Sequence, residues 1–324
     1  MIKFLRNANS SDSQRTIEAL IPLVSDSVQQ HKRLTEGTSA ANWIADSKFS
    51  YAYRSLADFQ KDSFSWECKK KAGMVPEIFT GKQVQEIEPI CGSVIDCLAV
   101  LSGQGHIINP QGYITELMKI FYHNGGKFIN AKVKDFGFHN EKIHVVFTDN
   151  GKFECDKVVI TAGIWSKNLM RKLGLKIPLE AERGYHVMYK NASILPRNPM
   201  MMTVGKFGVT PMKGDLRCAG TVELGGIKIG PSQGPIKLLR RRVAEAFPKM
   251  TYDKTEEWLG FRPTAPDSLP LIGQLKESGV YTAFGHQHIG MTSGPKTGRL
   301  ISDIINYRSP NINMSFYDPN RFNS

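Results

Sequence analysis

Residues 258–299 constrain the fold more than any other stretch. The apolar run Trp258-Leu259-Gly260-Phe261 delivers Arg262, and Pro263, Pro266 and Pro270 then forbid a helix, because an interior proline lacks the amide hydrogen and clashes with the preceding turn. Val280-Tyr281-Thr282-Ala283-Phe284 is a second run of strand length, apolar enough to be buried. Gly285 and Gly290 interrupt the chain where backbone would pass close to a ligand. Leu300, Ile301, Ile304 and Ile305 follow at helical spacing, with Thr292 or Ser293 as the expected N-cap and a helix starting near Gly294. Strand, strained turn, strand and helix in that order predict an α/β arrangement. The unsatisfied N–H groups and dipole at such a helix start favour negative charge.

The 324 residues leave room for two domains, and 41% hydrophobic with 22% charged residues is ordinary globular composition. No apolar run is long enough to span a bilayer, and the opening MIKFLRNANSSDSQR is too briefly apolar for a signal peptide. Cys68, Cys91, Cys97, Cys155 and Cys218 form no CxxC and are odd in number, which argues against a disulfide framework or zinc site and for a reducing cytoplasm. The net charge of +12 comes from scattered residues. With no motif behind it, this charge does not imply a nucleic-acid partner.

Along the chain, residues 1–35 are expected to be helical, with Ile17, Leu20, Ile21, Val24 and Val28 on one face and a stop at Gly37. Leu56, Phe59 and Trp66 predict a second helix running to Gly73. Gly103-Gln104-Gly105 opens like a dinucleotide fingerprint, but Ile108 stands in place of the third glycine, so the segment is read as structural. Asn109-Pro110 starts a helix by the proline-at-N1 route. Short strands are expected at 127–131, 133–138, 142–148 and 152–155, with Asn150-Gly151 as a hairpin turn. Val158-Val159-Ile160 reads as a buried parallel strand with the small residues Thr161-Ala162-Gly163 at its C-terminal end, where ligands sit in doubly wound sheets. Beyond it, strands are expected at 200–203, 208–211, 216–221 and 221–224, then a helix through Leu239, Val243 and Phe247 whose Arg240-Arg241-Arg242 run is a solvated face.

The ordered pieces G-F-R-P-T-A-P-D-S-L-P-L-I-G, F-G-H-Q-H-I-G-M-T and P-K-T-G-R-L closely resemble the C-terminal flavin-contacting region of the D-amino-acid oxidase and dehydrogenase (DAO) superfamily. Val158 to Ser166 resembles the family's strand and small-residue turn beside the dinucleotide, and the helix before Glu88-Pro89 also has a family counterpart. The resemblance implies an incomplete Rossmann-like FAD-binding domain interleaved with an antiparallel-sheet substrate domain. The expected division is residues 1–96 (substrate), 97–175 (FAD), 176–257 (substrate) and 258–324 (FAD).

The same resemblance implies FAD as cofactor and oxidative deamination of D-amino acids, dehydrogenase in preference to oxidase. A glycine, sarcosine or hydroxyproline-type amine oxidoreductase is the runner-up, and a non-catalytic remnant or partner subunit is a reading from another class. Thr161, Ala162, Gly163, Trp165, Gly285, His286, Gly290, Met291 and Thr292 are the implied cofactor-side residues. Arg262 is expected to take the substrate carboxylate, with His286 and either Tyr185 or His186 as further substrate-facing candidates; for the last two a core or sheet-surface place is equally open. No catalytic acid or base is assigned, since the cofactor carries the chemistry. His286 and His288 lack a third ligand for a metal. Relatives show glycine after the first histidine, where this chain has Gln287-His288. The family's opening GxGxxG unit is absent from the sequence, and N-terminal truncation is expected ahead of a separate nucleotide-binding subunit. A respiratory quinone as acceptor, and a peripheral place at the inner face of the cytoplasmic membrane, are further implications.

Overall fold

The computed structural model describes residues 9–322; residues 1–8 of the expected N-terminal helix lie outside them. In chain order the helices are α1 (Ser10–Val24), α2 (Ser27–Thr35), α3 (Leu56–Lys61), α4 (Ser63–Lys71), α5 (Lys82–Ile87), α6 (Pro110–His123), α7 (Ser166–Lys172), α8 (Gln233–Ala246) and α9 (Gly290–Ile305). The strands are β1 (Ile44–Tyr53), β2 (Glu77–Thr80), β3 (Cys97–Ile107), β4 (Val133–His139), β5 (Lys142–Thr148), β6 (Gly151–Glu154) and β7 (Val158–Ile160). They continue as β8 (Glu180–Lys190), β9 (Met200–Met202), β10 (Phe207–Pro211), β11 (Leu216–Leu224), β12 (Lys254–Thr264), β13 (Leu271–Gln274) and β14 (Val280–Phe284). The chain divides into two compact units, one of residues 1–30, 125–182 and 261–324, the other of residues 31–124 and 183–260.

The second unit is built on a sheet ordered β12-β8-β11-β10-β9-β1-β3-β2. Its strands alternate as a half-covered sheet requires. Tyr185, Val187, Tyr189, Val209, Leu216 and Cys218 are buried on one face, where they pack with Ile236, Leu239 and Val243 of α8. Residues 97–124, expected with the cofactor domain, belong here. The reason is that β3 is hydrogen-bonded along β1 from Ile44↔Ile107 to Tyr53↔Cys97, so the Gly103-Gln104-Gly105 segment is strand, with an irregularity opposite Ser47 and Phe49.

The first unit contains a sheet ordered β13-β14-β7 and a separate antiparallel sheet ordered β4-β5-β6. The expected parallel strand is present: Val158, Val159 and Ile160 pair with Val280, Tyr281 and Thr282. One core gathers Ile160, Ile164, Met170, Leu271, Val280 and Phe284. A second joins Leu23 of α1 to Leu300 and Ile301 of α9, Ile272, Tyr281 and Tyr317. That packing explains why the N-terminal helix joins this unit and not the antiparallel one. Its fully buried residues are Ala19 and Leu23, while Ile17, Leu20 and Ile21 are only partly covered.

Several local expectations shift. The N-terminal helical region breaks at Ser25-Asp26, and the second helix at Asp62, so each becomes two helices. Residues 127–131 form no strand. The short strand at Trp258 extends through Pro263 to Thr264, which is tolerated because β12 is an edge strand and needs no amide donor on its outer side. The last helix begins at Gly290, not Gly294, and Ser293 does not cap it: its hydroxyl donates back to Ile289 O at 2.9 Å.

Candidate functional site

The site is built in the first unit around the turn that joins β14 to α9. Gly285 has φ +88, a conformation that favours glycine, and a β-carbon there would press to 3.2 Å from the Leu271 side chain. Gln287 keeps a left-handed φ of +49 despite its side chain. Its amide donates to Pro263 O at 3.2 Å, and Thr264 bridges His286 in antiparallel fashion, which ties the turn to β12. A left-handed non-glycine residue loads the turn with local strain.

Helix α9 starts directly behind this turn with no side-chain cap. Met291, Thr292 and Gly294 are exposed, and nothing lies within 4 Å of the β-carbon position of Gly294. Its first amides are thus presented on an open surface carrying the positive end of the helix dipole. At the C-terminal end of β7, Thr161 and Ala162 are exposed, Gly163 has φ +53, and Trp165 keeps more than half its surface while its ring meets Phe261 edge-on at 6.3 Å. Small, accessible backbone at these two places suits a flat ring that gains negative charge on reduction, as a flavin does. No glycine turn that could wrap a pyrophosphate occurs in the sequence. The residues present fit the ring end of FAD, and its phosphate end has no counterpart among them.

Arg262 lies half-buried near the C-terminal end of β12 and, among the described residues, has no hydrogen bond and no direct ion pair. Burial draws its guanidinium below the ordinary arginine value, and the neighbouring Glu182 charge opposes that shift. His288 is lowered from its usual value by desolvation and by the Arg262 charge, again opposed by Glu182. A cation left without a partner in a partly desolvated place is poised for a carboxylate, and the guanidinium fork can grip one bidentately.

The other substrate candidates have protein partners of their own. Tyr185 is buried, and its hydroxyl donates to Glu223 Oε2 at 2.7 Å while accepting from Arg183 Nη2 at 3.2 Å and Ser232 N at 3.1 Å. It is the hub of a network in which Arg183 also binds the carbonyls of Gly226, Ile229 and Gly230. Alternation along β8 decides this, since Tyr185 shares the core face with Arg183 and Val187. His286 is held to α9 by Nε2 at 3.0 Å from Thr297 Oγ1, and burial lowers it to about 4. It is a neutral strut of the turn. His186 lies on the other face of β8, stacked on Trp258 at 5.0 Å with Arg217 Nη2 at 3.4 Å, and its pKa is pushed down to about 4 by burial and the Arg217 charge.

Glu182 escaped the sequence reading. The signal for it is the same alternation, which turns Glu182 away from the Tyr185 face. Among the described residues no three potential ligands gather for a metal, and the five cysteines are free thiols. No described helix is long and apolar enough to cross a membrane.

With this geometry in view, comparison with known proteins is informative. The chain is 31% identical to a D-amino-acid oxidase of Bradyrhizobium diazoefficiens over 328 residues, covering 99% of this chain and 78% of that one. It is 31% identical to a D-amino acid dehydrogenase of Vibrio vulnificus over 197 residues, 60% of this chain and 47% of the relative, so it spans about half of that protein's length. The glycine oxidase structure from Geobacillus kaustophilus superposes with a TM-score of 0.82 at 21% identity, over 93% of this chain and 83% of that one, which shows the shared fold. A family model described as FAD dependent oxidoreductase, DAO, matches residues 4–304. The open helix start, the small-residue turn behind β7 and the unpaired arginine accordingly belong to a member of the DAO family of FAD-dependent oxidoreductases.

Proposed function

We propose that this chain serves the oxidative deamination of D-amino acids, with the character of a dehydrogenase. The observation that carries the reading is Arg262, a half-buried guanidinium that makes no hydrogen bond or direct ion pair among the described residues, on the strand tied to the turn that leads into α9. The names of its relatives, D-amino-acid oxidase and D-amino acid dehydrogenase, support the substrate class. Arg262 would hold the α-carboxylate and so fix the α-carbon in place, which is where most of the protein's contribution to such a reaction lies. Bound FAD supplies the acceptor for the hydride that leaves the α-carbon; the amine loses a proton, and water hydrolyses the resulting imino acid to a keto acid and ammonia. The exposed first turn of α9 would stabilise negative charge at the ring edge facing it. A respiratory quinone as final acceptor, reached from a peripheral position on the membrane, completes the dehydrogenase reading.

The test is reduction of an electron-accepting dye by the FAD-reconstituted chain, with paired D- and L-amino acids, glycine and sarcosine, in the presence and absence of oxygen. D-amino acids should reduce the dye without needing oxygen. Arg262→Ala should lower kcat/KM by roughly 30- to 150-fold, corresponding to a loss of about 2–3 kcal/mol for one partner of a partly desolvated charge pair. Arg262→Lys, which keeps charge but not the fork, should fall between. Equal kcat/KM for wild type and Arg262→Ala would refute the assignment.

A further inference from the structure

Helix α7, in the first unit, ends in a closed backbone turn. Gly174 has φ +76, its amide donates to Arg171 O at 3.1 Å, and the Leu175 amide donates to Met170 O at 2.9 Å. These are the paired bonds of a Schellman cap, so the helix end needs no side-chain donor to satisfy those carbonyls. Lys167 and Arg171 stand four residues apart on α7 and share one face of it. With Lys176 they border a groove of about 670 Å³, completed by Gly174, Ile177 and Pro178. Among the described residues no carboxylate lines it. Lys167 Nζ is held by Leu179 O at 2.6 Å, whereas Arg171 and Lys176 are exposed and, among the described residues, make no hydrogen bond or ion pair. Like charges at that helical spacing repel, and a third cation on the same groove adds to the repulsion. The hollow of about 650 Å³ on the other side of Gly174 is balanced instead: Lys142, Lys172 and Lys276 share it with Glu141 and Glu277, and Lys142 donates to Glu277 O.

We propose that the groove between α7 and Lys176 is a binding site for a phosphate-bearing ligand. Three cations around a concave space, with no protein counter-charge, match a group that offers several acceptor oxygens and close to two negative charges. The Arg171 guanidinium can take two of those oxygens in parallel, and the two lysines act as point charges. Lys167 keeps further donor hydrogens after its bond to Leu179 O, which fixes it in advance. Ile177 and Pro178 give the body of the ligand an apolar wall. A soluble phosphate ester and a phospholipid headgroup carry this same group. The site uses no residue assigned to substrate or flavin, so it stands independently of the deamination reading.

The experiment titrates inorganic pyrophosphate into the full chain by calorimetry, and in parallel measures flotation with phosphatidylcholine vesicles with and without phosphatidic acid. Arg171→Gln and Lys176→Gln should each weaken pyrophosphate by about 3- to 10-fold, and the double variant more. Both side chains are exposed, so circular dichroism should be unchanged. Lys276→Gln removes the same charge from the neighbouring hollow and should alter the affinity by less than about twofold. Pyrophosphate binding without flotation assigns the site to a soluble ester; flotation that needs phosphatidic acid and is lost in the double variant assigns it to a headgroup. The proposal is overturned if neither probe binds, or if Lys276→Gln weakens binding as much as Arg171→Gln. It is equally overturned if prior addition of FAD displaces pyrophosphate, which would place the anion with the cofactor.

Discussion

Replacing Glu88 by alanine tests whether one buried carboxylate holds two distant segments of the second unit together. Glu88 follows α5 and is fully buried. It accepts from Arg197 N at 2.7 Å, Asn198 N at 3.1 Å and Asn198 Nδ2 at 3.1 Å. Arg197 Nη1 donates to Glu86 O at 2.7 Å, and Asn198 Oδ1 accepts from Lys48 N at 2.9 Å. The clamp sits two residues before β9, so the parallel register Ser50↔Met200 depends on it. Truncation strands three partly buried donors whose bonds to a charged acceptor are worth about 1.5–3 kcal/mol each. Against this stands the desolvation of the carboxylate itself, which outweighs those bonds enough to raise its pKa. Taking the low end for the bonds and about 1–2 kcal/mol for the relief leaves a net loss of about 3 kcal/mol. For a unit in the 150–250 residue class that is a Tm decrease of roughly 6–12 °C. Urea and thermal unfolding followed by near-ultraviolet circular dichroism would measure it, and a loss below about 1 kcal/mol would refute the clamp. Glu88→Gln keeps one acceptor but turns an amide donor towards other donors, so it should be intermediate. The raised pKa also fixes a sign: the group's contribution is fully present below the ordinary carboxylate range and is lost as pH rises through its folded value. That slope should vanish in Glu88→Gln.

Two further outcomes follow from the reassigned candidates. Tyr185→Phe removes the shared partner of Arg183, Glu223 and Ser232, so unfolding measurements should show a loss of about 1–3 kcal/mol. KM should be unchanged; a selective rise in KM would return Tyr185 to the substrate site. His286 is lowered to about 4, so it contributes stability above its ordinary pKa and loses it as pH falls from about 6.5 through about 4. His286→Gln, able to keep the Thr297 hydrogen bond, should flatten the acid limb of a Tm–pH profile, and an unaltered limb would show that the ring does not carry it.

Much of the site was legible because its signals are local. Proline spacing, the glycines at 285 and 290 and the apolar run at 280–284 dictate turn and strand from their own stereochemistry. The start of α9 was misplaced by four residues because Ser293 and Thr292 look like caps, whereas burial of Ser293 turns its hydroxyl back into the helix. Tyr185 was left between a substrate-facing and a core place because alternation along β8 states which residues share a face but not which face is covered. Only α8 packing against Tyr185, Val187 and Tyr189 decides that.

The amino-acid sequence alone determined much of the order of elements, the parallel strand at 158–160, the absence of a phosphate-binding glycine turn and the family resemblance, all of which reside in short-range chemistry or in motif order. Tertiary structure decided where one unit ends and the other begins. Residues 97–124 carry no local mark of their allegiance, which comes from the hydrogen bonds of β3 to β1. It also decided which charges meet. Arg183 and Glu223 are 40 positions apart and close an ion pair at 2.9 Å, and a pairing at that separation is written in strand order and packing, since each residue by itself is an ordinary polar position on a strand.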